Sequence, residues 1–240
     1  MLISFLQVKD LKFIPTHNQA GYLAPPPEKH KKLYTSLIKG LNSCRIIHAL
    51  RENPVFYESL VQEFWKTAKF DALGAGGKGA IGSEIQKKSV TVTEQMIREV
   101  LQFNDQETNP IELLAGTVEA ILPRLSYEGK YPLLVKKFVH PYWRLLVHML
   151  ILCMTENRGG TDQLSITQSA AFVCLITNQP FNYSKYIFEG MERNVIGVRK
   201  DKFIMYPRFL QMMFNARYPE LERSGNTLEL KPMGPAFLVL

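Results

Sequence analysis

The sequence predicts a mainly α-helical protein: a single multi-helix globular domain with one small β-hairpin inserted. Three observations lead there. The stretch Lys136–Met154, KKFVHPYWRLLVHMLILCM, is apolar nearly all round when wound as a helix, the pattern of a helix with no face in water. Helix-start signals recur along the chain, with Asn, Ser or Thr ahead of an apolar period of three and four. Alternation with a period of two appears in one region only, Lys69–Val92.

In order, residues 1–27 read as an irregular arm, with Pro15, Gly21 and Pro25-Pro26-Pro27 against helix. Its apolar Phe5, Leu11, Phe13 and Ile14 place it on the core. The helical domain covers residues 28–218. Its first helix buries Leu33, Leu37, Ile38 and Leu41 and shows Lys29, Lys31, Lys32 and Lys39 on the other side. Ser43 is read as the cap of a short second helix. Asn53-Pro54 is read as the start of a third, burying Phe56, Leu60, Val61, Phe64 and Trp65.

Lys69–Leu73 and Ser89–Val92 read as the two strands of the hairpin, with Gly74–Ala80 as its tip. Thr93 caps a helix with Ile97, Val100 and Leu101 inside, and Asn109-Pro110 repeats the earlier start signal. His140-Pro141 opens the central helix, because proline in the first turn loses no hydrogen bond. Trp143, Leu146, Val147, Leu150, Ile151 and Met154 share one of its faces; only Arg144 and His148 break the other. Ser165 and Gln168 make a capping-box pattern for the next helix. Asn182 caps another, Arg199–Lys202 is a basic loop, and Pro207 starts the last helix. Residues 219–240 read as a tail.

At 46% hydrophobic and 21% charged residues, the 240-residue chain has the composition of a folded globular protein rather than a disordered one. The net charge of +7 permits contact with nucleic acid, although the basic residues come in pairs and triplets rather than one stripe. The three cysteines, Cys44, Cys153 and Cys174, lie in apolar patterns without a CxxC pair and read as buried free thiols. The first ten residues lack the basic region and cleavage site of a secretory signal. The central run is too short and too interrupted to span a bilayer. No membrane association is expected, and the location expected is intracellular, cytoplasm or nucleus.

Gly74, Gly76 and Gly79 have dinucleotide-fingerprint spacing, but no helix opens after them to hold a pyrophosphate. Lys78 precedes Gly79, not the Ser or Thr of a phosphate loop. His140 and His148 lie two helical turns apart without a carboxylate in the helix, which suits a cap and a core histidine better than a metal site. Cys44 with Arg45 and His48 nearby could support a reactive thiolate; a core role fits its apolar setting better. Glu94 with Glu99, and Glu107 with Glu112, show no sign of convergence. The segment Lys202–Arg208, KFIMYPR, mixes aromatic and basic residues as a single-strand clamp would, yet its apolar members suit a core. Possible nucleic-acid contacts are Lys29, Lys31, Lys32, Arg199, Lys200 and Lys202. No catalytic residues, cofactor or metal are expected.

The segments FIPTHNQAGYL (Phe13–Leu23), HALRENPVFYESLVQEFW (His48–Trp65), VTVTEQMIREVLQF (Val90–Phe103), SYEGKYP (Ser126–Pro132), HPYWRLLVHMLILC (His140–Cys153), GGTDQLSITQSAA (Gly159–Ala171), MYPRFLQMM (Met205–Met213) and LKPMGP (Leu230–Pro235) carry a resemblance. With them the chain resembles plant transposon-derived proteins, helical reading frames found in LTR-retrotransposon contexts. The resemblance runs in order over nearly the whole chain. It implies a non-enzymatic, gag-like protein-interaction or assembly domain, with self-association or protein partners. The alternative it leaves is a basic nucleic-acid-binding accessory module of a retroelement. No catalytic residue carries over. The chain shows no Asp-Thr/Ser-Gly protease triplet, no Tyr-x-Asp-Asp and no CCHC knuckle, as expected of the head of a longer product or a truncated copy.

Overall fold

The computed structural model describes residues 11–132, 134–157, 160, 162–197, 203–230 and 232–238. The first half runs through α1 (Glu28–Leu41), α2 (Ile47–Arg51), β1 (Phe56–Tyr57), α3 (Glu58–Thr67), β2 (Lys69–Asp71), α4 (Gly74–Gly77), β3 (Ala80–Ile85), β4 (Lys88–Thr93) and α5 (Glu94–Leu101). The second runs through α6 (Ala115–Ile121), β5 (Leu134–Val135), α7 (Pro141–Met149), β6 (Gln163–Leu164), α8 (Ile166–Thr177), α9 (Tyr183–Ile196), α10 (Pro207–Arg217) and β7 (Thr227–Leu228).

The expected fold class, mainly α with one hairpin, is corrected. The structure is mixed α/β, with 50% of residues helical and 12% in strands spread over several small sheets. β1 pairs with β7, β5 with β6, and β2, β3 and β4 form a three-stranded antiparallel meander. The physical reasons are local. A two-residue strand has no period to detect, and Phe56 finds Leu228 only in the folded chain. The tight hairpin lies between β3 and β4, where Gln86 and Lys87 both take left-handed φ, 52° and 61°. That geometry is the usual two-residue hairpin turn, here without the Asn or Gly that would signal it. The expected tip, Gly74–Ala80, instead contains helical α4 and joins β2 to β3. Gly74 is there for space: a Cβ on it would lie 2.6 Å from the Ala80 Cβ.

Several helix starts follow their residues. Thr93 accepts the Met96 amide at 3.1 Å, Ser165 and Gln168 close the capping box of α8, and Asn182 accepts from Lys185 at 2.8 Å. The two Asn-Pro signals do not open helices. Asn53 donates to the Leu230 carbonyl at 3.1 Å, and α3 begins only after β1; Asn109 accepts from the Gln106 amide at 2.8 Å, and α6 begins at Ala115. Ser43 caps no helix; its hydroxyl donates back to the Gly40 carbonyl.

α7 begins at Pro141 with the His140 side chain accepting from the Tyr142 amide, and continues into a π-helical turn, Leu150–Met154. Every residue from Leu145 to Thr155 is buried. The carbonyls at such an end have no helical partner and no water, so the fold must supply donors. The Gln19 amide reaches the Leu152 carbonyl at 3.0 Å, the Asn18 side chain the Cys153 carbonyl at 2.8 Å, and the Tyr206 hydroxyl the Met154 carbonyl at 3.3 Å.

The expected arm is therefore threaded through the interior, with His17 and Asn18 buried. His17 donates through Nδ1 to the Asn157 carbonyl at 3.2 Å and accepts the Tyr206 amide at Nε2, 2.8 Å, which defines a neutral ring. Arg208 is fully buried, and no carboxylate pairs with it among the described residues. Its guanidinium donates to the carbonyls of Asn18, Ala49 and Glu52 at 2.9, 2.5 and 2.5 Å. Burial pulls its pKa down to about 10, so it keeps its charge at neutral pH, held by carbonyls at the negative end of α2. The expected tail also joins the core: β7 lies on β1, the Met233 amide donates to the Ala20 carbonyl at 2.8 Å, and Leu230 and Leu238 are buried.

Asn18→Ala strips partners from two buried groups, the Cys153 carbonyl and the Phe209 amide. A loss of about 2–5 kcal/mol is expected, read as a lower urea midpoint at unchanged slope. A loss near zero contradicts this role of the arm.

Candidate nucleic-acid interface

α1 shows its lysines to solvent because Tyr34, Leu37, Ile38 and Leu41 face the core. Lys29, Lys31 and Lys32 are all exposed, as their spacing predicts. Lys31 pairs with Glu28 at 3.2 Å, whereas Lys29 and Lys32 have no carboxylate partner among the described residues. Lys29, Lys32 and Ser36, three and four residues apart, share one stripe of the helix. Arg199, Lys200 and Lys202 lie outside the described residues.

The stripe meets the exposed beginning of α7. The Ser36 and Tyr142 hydroxyls share a hydrogen bond of 3.1 Å, and the Tyr34 hydroxyl donates to the Pro141 carbonyl at 3.2 Å. The rings of Tyr34 and Tyr142 lie parallel within 6°, with centroids 6.5 Å apart, and Trp143 stands edge-on to Tyr142 at 4.6 Å. Tyr142 and Trp143 are half-buried. Just before α7, exposed Lys137 lies over the Phe138 ring at 4.8 Å. Arg144 donates to the Val139 and Lys137 carbonyls at 2.8 and 3.0 Å, and no acid pairs with it among the described residues. Burial raises the Tyr34 phenol above its ordinary pKa, and the nearby Arg144 charge opposes that rise.

This face joins uncompensated cations to half-exposed aromatic rings. Cations hold phosphates, and flat rings offer stacking partners to unpaired bases. The helical period marks the α1 lysines as exposed but gives no sign of a surface role for Lys137, Tyr142, Trp143 and Arg144. Trp143 lies on the apolar face of the central helix, a position that suits the core. The available signal was the pair Lys136-Lys137 a few residues before Tyr142-Trp143, at a helix start rather than inside one.

The other candidates are placed as follows. Phe203, Ile204, Met205 and Tyr206 are all buried, so that segment offers no stacking platform. The glycine stretch runs into strand β3, not a phosphate-binding helix, and Lys78 pairs with Glu107 at 2.7 Å. Glu94 and Glu99 pair with Arg98 and Arg217 respectively and do not converge. Cys44 and His48 line different pockets, and burial pushes the Cys44 thiol up, not down. Among the described residues, no three His, Cys, Asp or Glu side chains converge as metal ligands, and no helix is long and apolar enough to cross a membrane.

No family model, curated protein or solved structure matches the chain.

The structure resists a charge on the buried His148. Burial first, then Lys136, whose Nζ lies 2.6 Å from Nε2, lowers its pKa to about 4, against a weaker pull from Asp162. Its ring packs on Phe237. Between pH 6.5 and 4 the unfolded chain binds a proton here that the folded chain refuses, so stability falls as pH falls through that window. The expected loss is on the order of 3 kcal/mol. Urea midpoints measured against pH check it: His148→Phe should flatten this part of the profile, and an unchanged profile contradicts it.

Proposed function

We propose that the chain is a non-enzymatic binding module of the transposon-derived, gag-like kind that its sequence resembles, and that its α1–α7 face takes single-stranded nucleic acid. The observation that supports this reading is the joining of Lys29 and Lys32 to Tyr142 and Trp143 through the Ser36–Tyr142 hydrogen bond. Lysines alone would suit any polyanion. The half-exposed rings favour an unpaired strand, because a duplex keeps its base faces stacked on one another. The net charge of +7 adds attraction at long range.

Anisotropy titrations with single-stranded oligonucleotides over a salt series test this. Each lysine on a phosphate contributes about 0.7 to the slope of log affinity against log salt. Lys29→Ala with Lys32→Ala should therefore lower the slope by about 1.4. Binding should also quench tryptophan fluorescence in the parent and not in Trp143→Phe. Absence of binding at low salt, or an unchanged slope in the double variant, contradicts the reading.

A second reading, self-assembly, has a different observation behind it. Ile166, 51% exposed, lines an open groove of about 1240 Å³ with Leu164 and Glu112, and Leu114, 83% exposed, follows two residues after Glu112. Exposed aliphatics beside a groove favour a protein partner. Light scattering should show association at high concentration that Ile166→Lys removes; a monomer throughout contradicts it.

A further inference from the structure

We propose that two copies of this chain associate about a two-fold axis beside the β5–β6 ladder, with the basic patch of each copy lying on the acidic groove of the other. The inference rests on the self-assembly reading of that groove and adds the mode of assembly.

The ladder is the border between patches of opposite charge. Val135 pairs with Gln163, so the chain leaving β5 passes Asp162. There the Lys136 amide donates to the Asp162 carbonyl at 2.7 Å, and Lys136 Nζ lies 3.9 Å from the Asp162 carboxylate. On the β5 side follow Lys137 and Phe138, both exposed, and then the start of α7 beside α1 with Lys29 and Lys32. On the β6 side lies the groove. Asp162, Gln163 and Ile166 line it, all exposed, and Glu112 lines it from the segment before α6.

Glu119 on α6 extends the acidic side. Burial first, then the charges of Glu119 and Glu112, raise the Tyr131 phenol, so both carboxylates lie within electrostatic reach of one ring. Glu112 and Glu119 are exposed and have no basic partner among the described residues. Lys137, like Lys29 and Lys32, has no carboxylate partner among them.

A half-turn about the border exchanges its two sides. The basic patch of one copy then meets the acidic groove of its partner, and the contact is made twice. Phe138 and Ile166, one on each side, supply apolar surface within the charged rim. A second copy matches both signs at once, whereas a nucleic acid matches only the basic side. Lysines engaged by a second copy are closed to a strand, so the dimer and the strand-bound chain are alternative states of the α1–α7 face.

Analytical ultracentrifugation of the full chain over a salt series tests this. A monomer–dimer equilibrium is expected, weaker as salt rises because the charges are exposed. Lys32→Glu with Lys137→Glu should weaken self-association about tenfold or more, and so should Glu112→Lys with Glu119→Lys, since each pair of reversals sets like charges together at both halves of the contact. Mixing the two variants should restore a one-to-one dimer, because every reversed residue then meets its complement. On the unsubstituted protein, which needs no variant to fold, carbodiimide should join lysines of the basic patch to Glu112, Glu119 or Asp162 between isotopically light and heavy copies. Association that ignores salt and both reversals, a mixture that restores nothing, cross-links confined within one copy, or growth into open-ended polymers overturns the two-fold mode and leaves the self-assembly reading standing. A monomer at every concentration overturns both.

Discussion

A helix that ends inside a protein leaves carbonyl groups that water cannot reach, and this structure is arranged around the end of α7. The π-helical turn Leu150–Met154 presents its last carbonyls to the interior. Each unmade hydrogen bond there costs about 1–3 kcal/mol, a sizeable share of a domain's net stability. Donors come from the backbone of Gln19, the side chain of Asn18 and the hydroxyls of Thr155 and Tyr206. Asn18 in turn accepts the Phe209 amide and, through its carbonyl, the Arg208 guanidinium. Arg208 then satisfies the end of α2. One chain of polar contacts thus ties together the N-terminal segment, α2, α7 and α10, and its members have few substitutes because no water is available to replace them.

The same geometry gives α7 two unlike ends. Its C-terminal end is fixed in the core, so its first turn projects at the surface with Tyr142 and Trp143 half-exposed. The Tyr34 hydroxyl on the Pro141 carbonyl sets α1 beside that turn. A stable core end and an open cationic end are features of one rod. The proposed interface therefore rests on a rigid element, with its aromatic rings held by packing rather than on a loop.

How much of this could be read beforehand follows from the range of each interaction. Thr93, Ser165 with Gln168, Asn182 and His140-Pro141 act within four residues, and each opens the helix it signals. Asn53 and Asn109 carry the same chemistry, but their side chains are taken by Leu230 and Gln106, and proline is as content after an extended residue as in a first turn. The two-residue sheets depend on partners far away in sequence, which no local pattern encodes. The lysines of α1 were legible because helical period separates them from Leu37 and Leu41. The aromatic half of the interface was not, since an apolar stripe does not say where along its length the core stops. Arg208 shows the converse: it stands in a basic, aromatic segment, and only the carbonyls of Asn18, Ala49 and Glu52 reveal an interior position.

The most direct measurement of this arrangement is native-state hydrogen exchange at the amides of Gln19, Gly21 and Met233, compared with those of α7. If the N-terminal segment and the end of α7 form one cooperative unit, all of them exchange only through global unfolding and share one free energy, rising and falling together with denaturant. If Gln19 and Gly21 exchange by local opening while the α7 amides stay protected, the segment is an accessory to the core and the dependence described here is wrong.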